Sequence, residues 1–331
     1  MANAGAGSER TDPAYLGLEI GELAAWITMT YGADRPERQW RKRFMTPPTP
    51  DEFFQHVAEG ACIARGGAGI AGVGVATWAH VNSADGSVQA SAISPDWESV
   101  ALATRLSDLL HAPVRLRSAV DAAALAETRL GVGKGADPVV YVHLGREVLS
   151  ALVYHCAPLI GAHGRAGQIG HWRIAEDGPR CACGAVGHLN PLCSSQGFVR
   201  QAIGLAALDE SVLAAMTEAT GGRVEAITAQ RVVALASAGV TPLRDLTRRS
   251  AEALGIALAR LALVVDPEVI VLDGPLGVAG SPFIEWTGER MTEELRAVSG
   301  GEQAPRLASA RLAPLSALTG AWLLGKDAAD K

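Results

Sequence analysis

Two hydrophobic periods alternate along the chain, and they predict strands and helices in turn. Short apolar runs bounded by glycine or proline are typical of buried strands, and apolar residues three or four positions apart are typical of amphipathic helices. The predicted strands are 15–30 with a turn at Gly21, 70–77, 114–116, 139–144, 148–153 and 269–272. The predicted helices are 51–65, 99–110, 119–130, most of 195–265, and the end of 310–326, which opens with a strand-like piece. This alternation predicts an α/β protein.

The charge and composition exclude some classes of function. The chain has 331 residues, enough for two domains, and a formal net charge of -6. This balance gives no electrostatic reason to expect direct nucleic-acid binding or attraction to an anionic membrane. The one dense basic cluster, at 38–43, is interpreted as the solvated edge of a hairpin in preference to a phosphate site. No secretory signal and no membrane-spanning stretch stands out, so the sequence predicts a cytoplasmic protein with a disordered lead-in at 1–13.

Cysteine and histidine cluster in one short segment. His171 follows a Gly-Gln-Ile-Gly run, and nine residues later the chain continues from Cys181 and Cys183 to His188. Thiolate and imidazole are preferred ligands of Zn²⁺, and a Cys-x-Cys pair can reach one ion from a tight turn. Glycines at 184 and 187 allow the backbone to curl back toward the ion. Four protein ligands leave no open position, so the segment predicts a structural zinc site.

The alternative interpretation is a pair of reduced cysteines in a surface loop beside two unrelated histidines. Three spacings would then agree by chance, so we favour zinc. The total of five cysteines, an odd number, argues against a disulfide framework. Cys193 is interpreted as a buried thiol and not as a fifth ligand, and His155 and Cys156 as a satisfied core pair on an apolar strand.

The same segment resembles the signature of the ROK family (repressors, open reading frames and sugar kinases), and the resemblance extends from about Tyr15 to Leu324. The family's usual form is G-E-I-G-H, a spacer and C-x-C-G-x-x-G-C-L-E, so His188 stands where a cysteine is usual. The resemblance implies an actin-like, ribonuclease-H-like fold of two α/β domains around a sugar-binding cleft, commonly assembled as homo-oligomers. The domains expected on this basis are 14–130, completed by a C-terminal helix at about 312–328, and 131–311, which carries the zinc loop at 167–193.

The resemblance places the family's catalytic base at a residue that cannot act as one. Phosphoryl transfer to a sugar hydroxyl needs a carboxylate that positions and deprotonates the hydroxyl. The family supplies it as the Asp of N-D-A-N, eight residues before a Glu, and the ungapped match ending at Glu127 puts Ala119 in that position. Asp121 would be the base only if the match shifted by two residues. Its alternative role is to stabilise a helix start.

Both phosphate-binding loops also depart from the family's form. The first, usually D-x-G-G-T, is Glu-Ile-Gly-Glu-Leu at 19–23. The second, usually G-T-G-I-G-A-G, is Gly-Arg-Glu-Val-Leu-Ser-Ala at 145–151, and a later Gly-Gly pair is Asp273-Gly274. Glycine N–H groups and small hydroxyls hold phosphate, whereas acidic side chains repel it. These changes argue against binding of ATP and Mg²⁺ in the family's manner.

The family's sugar-binding positions keep hydrogen-bonding groups but lose their charge. Gln168 and Asn190 replace two glutamates, and Ser118 replaces the Asn before the base. Amides and hydroxyls can still bind a polyol, so the sequence predicts a small sugar-like ligand at these three residues. Tryptophans 78, 97 and 172 are candidates for a stacking face, with core or hinge packing as the alternative.

Three functions remain open on this evidence. The favoured one is a pseudokinase: a non-catalytic sensor of a sugar-type ligand, or a partner protein. The second is an active, ATP-dependent sugar or cyclitol kinase that uses Asp121 or another carboxylate. The third is a transcriptional regulator that needs a separate DNA-binding partner, because the family match begins at about Tyr15 and leaves no room before it for a DNA-reading helix.

Overall fold

The computed structural model describes residues 13–32, 40–65, 68–82, 86–89, 95–299 and 304–330. Apart from Pro13, the predicted lead-in at 1–13 lies outside these ranges. The chain forms two compact units. The first comprises the residues up to Ala126, the short segment Ile160–Arg165 and the residues from Leu315 on. The second comprises Glu127–Leu159 and Ala166–Pro314.

Strands and helices alternate through both units, as the α/β pattern predicts. The strands are β1 (Ala14–Ile20), β2 (Ala24–Tyr31), β3 (Trp40–Met45), β4 (Ile70–Thr77), β5 (His80–Val81), β6 (Val88–Gln89), β7 (Val114–Ser118), β8 (Val139–Leu144), β9 (Val148–Tyr154), β10 (Ala157–Pro158), β11 (Val269–Asp273) and β12 (Arg306–Ser309). The α-helices are α1 (Pro50–Arg65), α2 (Leu102–Leu110), α3 (Ala119–Arg129), α4 (Leu189–Cys193), α5 (Ser195–Ala206), α6 (Glu210–Thr220), α7 (Ala229–Ser237), α8 (Thr241–Val265), α9 (Gly274–Gly277), α10 (Phe283–Ser299) and α11 (Ser316–Ala329). Among the described helices, none combines the length and hydropathy needed to cross a membrane.

A five-stranded sheet in the order β3-β2-β1-β4-β7 forms the centre of the first unit. Strands β1, β4 and β7 are parallel, and β2 and β3 extend the sheet antiparallel. Helix α11 packs against β1, β4 and β7. This packing requires small residues, because a Cβ on Gly17 would lie 2.7 Å from the backbone nitrogen of Trp322. Because β1, β4 and β7 are parallel, their carboxyl ends meet at one edge of the sheet.

The second unit has its own five-stranded sheet, in the order β10-β9-β8-β11-β12. Strands β8, β11 and β12 are parallel, whereas β9 returns antiparallel to β8 through a short hairpin turn. Helices α4 to α8 and α10 contribute residues to a continuous apolar core on this sheet. Helix α8 is the longest of the described helices, with 25 residues, and it packs along α10. Burial of β8 and β11 explains why both strands are rich in valine, leucine and isoleucine.

The structure confirms the prediction for the basic cluster and corrects the prediction for His155 and Cys156. The basic residues Arg41, Lys42 and Arg43 lie on the edge strand β3, as the hairpin-edge interpretation predicts, and Arg38 lies outside the described residues. The prediction for His155 and Cys156 is wrong, because both are exposed in the turn after β9, with φ of 50° and 58°. The two residues follow the apolar strand β9, and the sequence pattern did not show that this strand ends at Tyr154.

Candidate functional site

His171, Cys181, Cys183 and His188 come together in the second unit. Their ligand atoms all lie within 4.8 Å of one another. The Cys181 Sγ is 4.0 Å from Nδ1 of His171, and the Cys183 Sγ is 3.4 Å from Nδ1 of His188. Around a tetrahedral Zn²⁺ with the usual bond lengths, such atoms are about 3.3–3.8 Å apart. The four residues thus have the donor types and approximately the spacing that zinc requires.

The local backbone explains how these four residues of one short segment meet. A single 3₁₀ turn, Ile169–His171, presents the first histidine. The knuckle between the cysteines closes when the Cys181 amide donates to the carbonyl of Ala185, 2.8 Å away. Gly187 has a φ of 76° and lies against the backbone of Ala175, so a side chain there would clash. Helix α4 begins directly after His188.

Cys193 is fully buried in α4, as the sequence analysis predicts for a thiol outside the metal site. Burial raises the pKa of this thiol well above its usual range, which disfavours the thiolate form that binds metal. All five cysteines are free thiols in the structure. The donor set is therefore two thiols and two imidazoles, and its members lie at the surface or at its margin apart from the buried Cys181.

The segment that holds the family's base position lies where β7 ends and α3 begins. Ala119 is 1% exposed and is the first residue of α3. The Ser118 hydroxyl donates to Oδ2 of Asp121 at 2.6 Å and accepts the Asp121 backbone N–H at 3.1 Å. Burial raises the pKa of Asp121, whereas the hydrogen bond from Ser118 and the charge of Arg117 act to lower it. Asp121 thus forms a helix-capping pair with Ser118 and is also a partly accessible carboxyl group.

Glu127 is the residue that anchors the alignment of this segment, and it is completely buried. Its Oε2 accepts the backbone N–H of Val132 at 2.9 Å, and its Oε1 accepts that of Leu312 at 2.7 Å. The carboxylate therefore ties the end of α3 to the loop that follows it and to the distant segment that contains Leu312. This is a structural role, because both oxygens have backbone partners.

The first glycine loop is a tight β1–β2 hairpin in which a tryptophan takes part. Gly21 donates to the carbonyl of Ala24 at 3.0 Å, and Leu23 is 73% exposed at the tip. The indole Nε1 of Trp78 donates to Oε1 of Glu19 at 3.1 Å. Glu19, which stands at the position of the family's Asp, is therefore bonded within the protein. The sequence analysis named Trp78 only as a candidate stacking residue and did not find this pair.

The second glycine loop is the turn between β8 and β9, where Leu144 pairs with Val148. The Val148 N–H donates to Oδ1 of Asn190 at 2.6 Å, and the Ser150 N–H donates to the carbonyl of Gly167 at 2.8 Å. Two amides at the start of β9, directly after this loop, are thus bonded inside the protein. Asn190 is buried, and its amide oxygen is occupied by this bond.

A polar cluster lies within β8 and β11 near their carboxyl ends, and the sequence analysis named only its Asp273. The Tyr141 hydroxyl donates to Oδ2 of Asp273, and Oδ1 of Asp273 accepts the N–H of Gly274 at 2.6 Å. His143 is the register partner of Asp273. Burial lowers the pKa of His143 to about 4, against the opposing effect of the Asp273 carboxylate. The only sequence signal was a histidine in an otherwise apolar strand.

The remaining predicted residues are distributed between the units. Gln168 precedes the 3₁₀ turn of His171 in the second unit, half-buried, and Ser118 belongs to the first unit. Trp97 is completely buried and donates its indole N–H to the carbonyl of Pro47, so it is a core residue. Trp172 is half-buried and packs on the core of the second unit.

Comparison with known proteins places this fold and these motifs in one family. A sequence model of the ROK family matches residues 15–328. Glucokinase of Halalkalibacterium halodurans is 32% identical over 196 residues, 59% of this chain and 58% of that protein, so the match spans little more than half of this relative. Kanosamine kinase of Amycolatopsis mediterranei is 27% identical over 316 residues, 94% of this chain and 96% of that protein.

Solved structures agree with this comparison at the level of the fold. The crystal structure of a ROK family glucokinase from Streptomyces griseus in complex with glucose and AMPPNP superposes with a TM-score of 0.78. It is 23% identical in sequence, and the superposition covers 95% of this chain and 99% of that one. The two-sheet α/β architecture is thus the actin-like fold that the sequence analysis predicts.

Proposed function

This chain belongs to the ROK family, and we propose that it is a pseudokinase: a non-catalytic sensor of a sugar-type ligand, or a partner protein, with a structural zinc site. The observation that carries the proposal is the buried methyl group of Ala119 at the position that the family match assigns to the base. An alanine cannot accept the proton of a sugar hydroxyl. We also propose that the protein forms homo-oligomers and that it is located in the cytoplasm, where thiol ligands stay reduced.

The two former phosphate loops support it independently. Phosphate needs N–H groups that point at it and surroundings that do not repel it. Here the amides of Val148 and Ser150 are bonded to Asn190 and Gly167, and Glu147 is exposed in the turn between β8 and β9. In the first loop, Glu22 is an additional exposed carboxylate. ATP would meet occupied donors and like charge.

The experiment that tests the proposal combines nucleotide binding with phosphoryl transfer. The metal-loaded protein is titrated with Mg²⁺–AMPPNP by calorimetry, and ADP release is followed with ATP and glucose, kanosamine, glucosamine and myo-inositol. We expect no heat of nucleotide binding up to millimolar concentration and no ADP above the no-protein control. Turnover with any acceptor would overturn the non-catalytic assignment.

An active kinase is the second candidate, and one observation favours it. Asp121 is a partly accessible carboxyl group two residues after Ala119, hydrogen-bonded to Ser118. The relatives include proteins named glucokinase and kanosamine kinase. If turnover is found, Asp121→Asn distinguishes the origin of the activity. A loss of at least 100-fold in kcat with unchanged Tm would assign the base to Asp121, whereas unchanged kcat would exclude it.

The zinc site is part of the proposal and has its own test. The two thiols and two imidazoles fit Zn²⁺ in type and spacing, and the ion would cross-link the knuckle to the 3₁₀ turn of His171. We expect one zinc per chain by mass spectrometry after purification without chelator. Cys183→Ser should reduce this to well below one, and Cys62→Ser, which alters an exposed thiol elsewhere, should not. Equal zinc content in all three proteins would contradict the assignment.

A further inference from the structure

One edge of the first sheet carries a basic cluster that neither the zinc cluster nor the family's motifs involve. β3 is the last strand of this sheet, and among the described strands it pairs only with β2. Its residues Arg41, Lys42 and Arg43 are three successive basic positions. Within the described residues, no salt bridge involves any of the three. The strand therefore has a positive charge that no described carboxylate neutralises.

The register of β3 on β2 determines which of its backbone groups point outward. The Thr46 N–H donates to the carbonyl of Leu23 at 3.2 Å, so the adjacent register pair, at 24 and 45, has no hydrogen bond between its members. The two kinds of pair alternate along an antiparallel ladder. The N–H and carbonyl groups that point away from β2 are therefore those of residues 41, 43 and 45. Such a row of backbone groups is a template for another extended chain.

The side chains of the same three residues lie on one face of the sheet, because strand residues two apart share a face. Arg41, Arg43 and Met45 are all exposed, Met45 to 70%, whereas the residues between them are partly buried. The Cζ atom of Arg43 lies 5.8 Å from the ring centroid of Trp26, so this guanidinium is held over the sheet face. A chain added to β3 would meet two guanidiniums and then an apolar side chain.

The charge of β3 favours one kind of partner. A second copy of β3 would bring its own arginines to the same edge, and like charges on neighbouring strands destabilise a sheet. Carboxylates at alternate positions of an incoming strand would instead lie opposite Arg41 and Arg43, since both strands have the same repeat of two residues. Guanidinium–carboxylate pairs are strong hydrogen bonds. In strand addition the main chain supplies affinity, and the side chains supply specificity.

We propose that β3 is a docking strand for an acidic, extended segment of a partner protein, which would extend the first sheet beyond β3. Carboxylates of the segment would pair with Arg41 and Arg43, and an apolar side chain would cover Met45. The inference adds an interaction surface to the proposed function. It does not depend on the loss of nucleotide binding, so either proposal can fail while the other stands.

The probe is a fluorescein-labelled, nine-residue peptide of alternating valine and glutamate, and its binding to the zinc-loaded full chain is measured by fluorescence anisotropy. Two matched peptides carry glutamine in place of glutamate, or methyl groups on the glutamate amide nitrogens, which removes the donors that would face β3. We expect each change to weaken binding at least 10-fold. The double variant Arg41→Gln, Arg43→Gln should bind the acidic peptide at least 10-fold more weakly than the wild type.

The double variant Arg200→Gln, Arg231→Gln is the matched control, because it removes the same charge from two exposed arginines of the second unit. It should bind the acidic peptide as the wild type does, and thermal midpoints show whether each variant is folded. Equal weakening by both double variants, undiminished binding of the N-methylated peptide, or no binding of the acidic peptide would overturn the inference. A changed oligomeric state of the β3 variant in sedimentation velocity would assign this edge to a second copy, and would overturn it as well.

Discussion

Acidification should destabilise the fold through one histidine of the second unit. His143 has a pKa lowered to about 4, because the imidazole is desolvated in β8, and the nearby Asp273 carboxylate only partly compensates. In the unfolded chain, histidine titrates near pH 6.5. Between these two values the unfolded state binds a proton that the folded state does not. Stability is therefore intact above about pH 6.5 and falls as the pH approaches 4.

The size of this effect follows from the two pKa values. A shift of about 2.5 units corresponds to about 3 kcal/mol once the pH is well below 4. At pH 4.5 the linkage relation gives most of this, about 2–3 kcal/mol. Between pH 7.5 and 4.5, the free energy of unfolding of the wild type should fall by about this much more than that of the variant His143→Gln, which has no titrating group at position 143. Comparing the two proteins cancels other groups that titrate, including metal ligands.

Urea unfolding followed by circular dichroism, at both pH values, measures the difference. His163→Gln, which alters an exposed histidine, is the control and should behave as the wild type does. A direct readout is the NMR titration of the His143 ring, for which we expect no charging above pH 5. The reasoning is refuted if His143 titrates near 6.5, or if wild type and His143→Gln lose the same stability.

Three further predictions concern packing, the buried carboxylate and the metal site. Gly17→Ala should lower the free energy of unfolding by about 1–3 kcal/mol, because its methyl group would meet the backbone of α11. Gly69→Ala, with open space around it, should not lower it, and urea titration of both variants measures the difference. Glu127→Gln should cost about 1–3 kcal/mol, because one of two buried backbone N–H groups loses its acceptor, and an unchanged urea midpoint would exclude this role. His188→Cys should still bind one metal ion, and its Co²⁺ complex should gain thiolate charge-transfer intensity near the ultraviolet, in proportion to a third sulfur ligand; an unchanged Co²⁺ spectrum would show that residue 188 is not a ligand.

The strands and helices of the core could be predicted from sequence because burial leaves a regular trace. β4 and β8 are predominantly apolar and buried, and their observed limits are those predicted. Prediction was poorer where a short element lies at an edge. β12 ends at Ser309, just before the stretch in which a strand-like piece was expected, and its four residues include no fully buried one. Without burial, hydrophobic period gives little information on where a strand begins.

The cluster of two cysteines and two histidines was predictable for a different reason. Its four candidate ligands lie within 18 residues of sequence, His171 to His188, and their chemistry is distinctive. The contacts of Glu19 and Asn190 were not predictable, since their partners lie 59 and 42 residues away. Sequence alone shows that a charged or amide side chain has replaced another. It does not show whether the new side chain faces a ligand or another part of the protein.

These long-range contacts bear on whether the chain has a maintained function. If the phosphate loops had only lost their function, the replaced residues would be expected to leave polar groups without partners, at a cost of about 1–3 kcal/mol each. Instead Glu19 bonds Trp78, Asn190 bonds Val148, and Asp273 bonds Tyr141. Three of the substituted positions, 19, 190 and 273, are thus each matched by an internal partner. At these positions the side chain takes part in the protein's own hydrogen bonding, as the proposed loss of nucleotide binding leads us to expect.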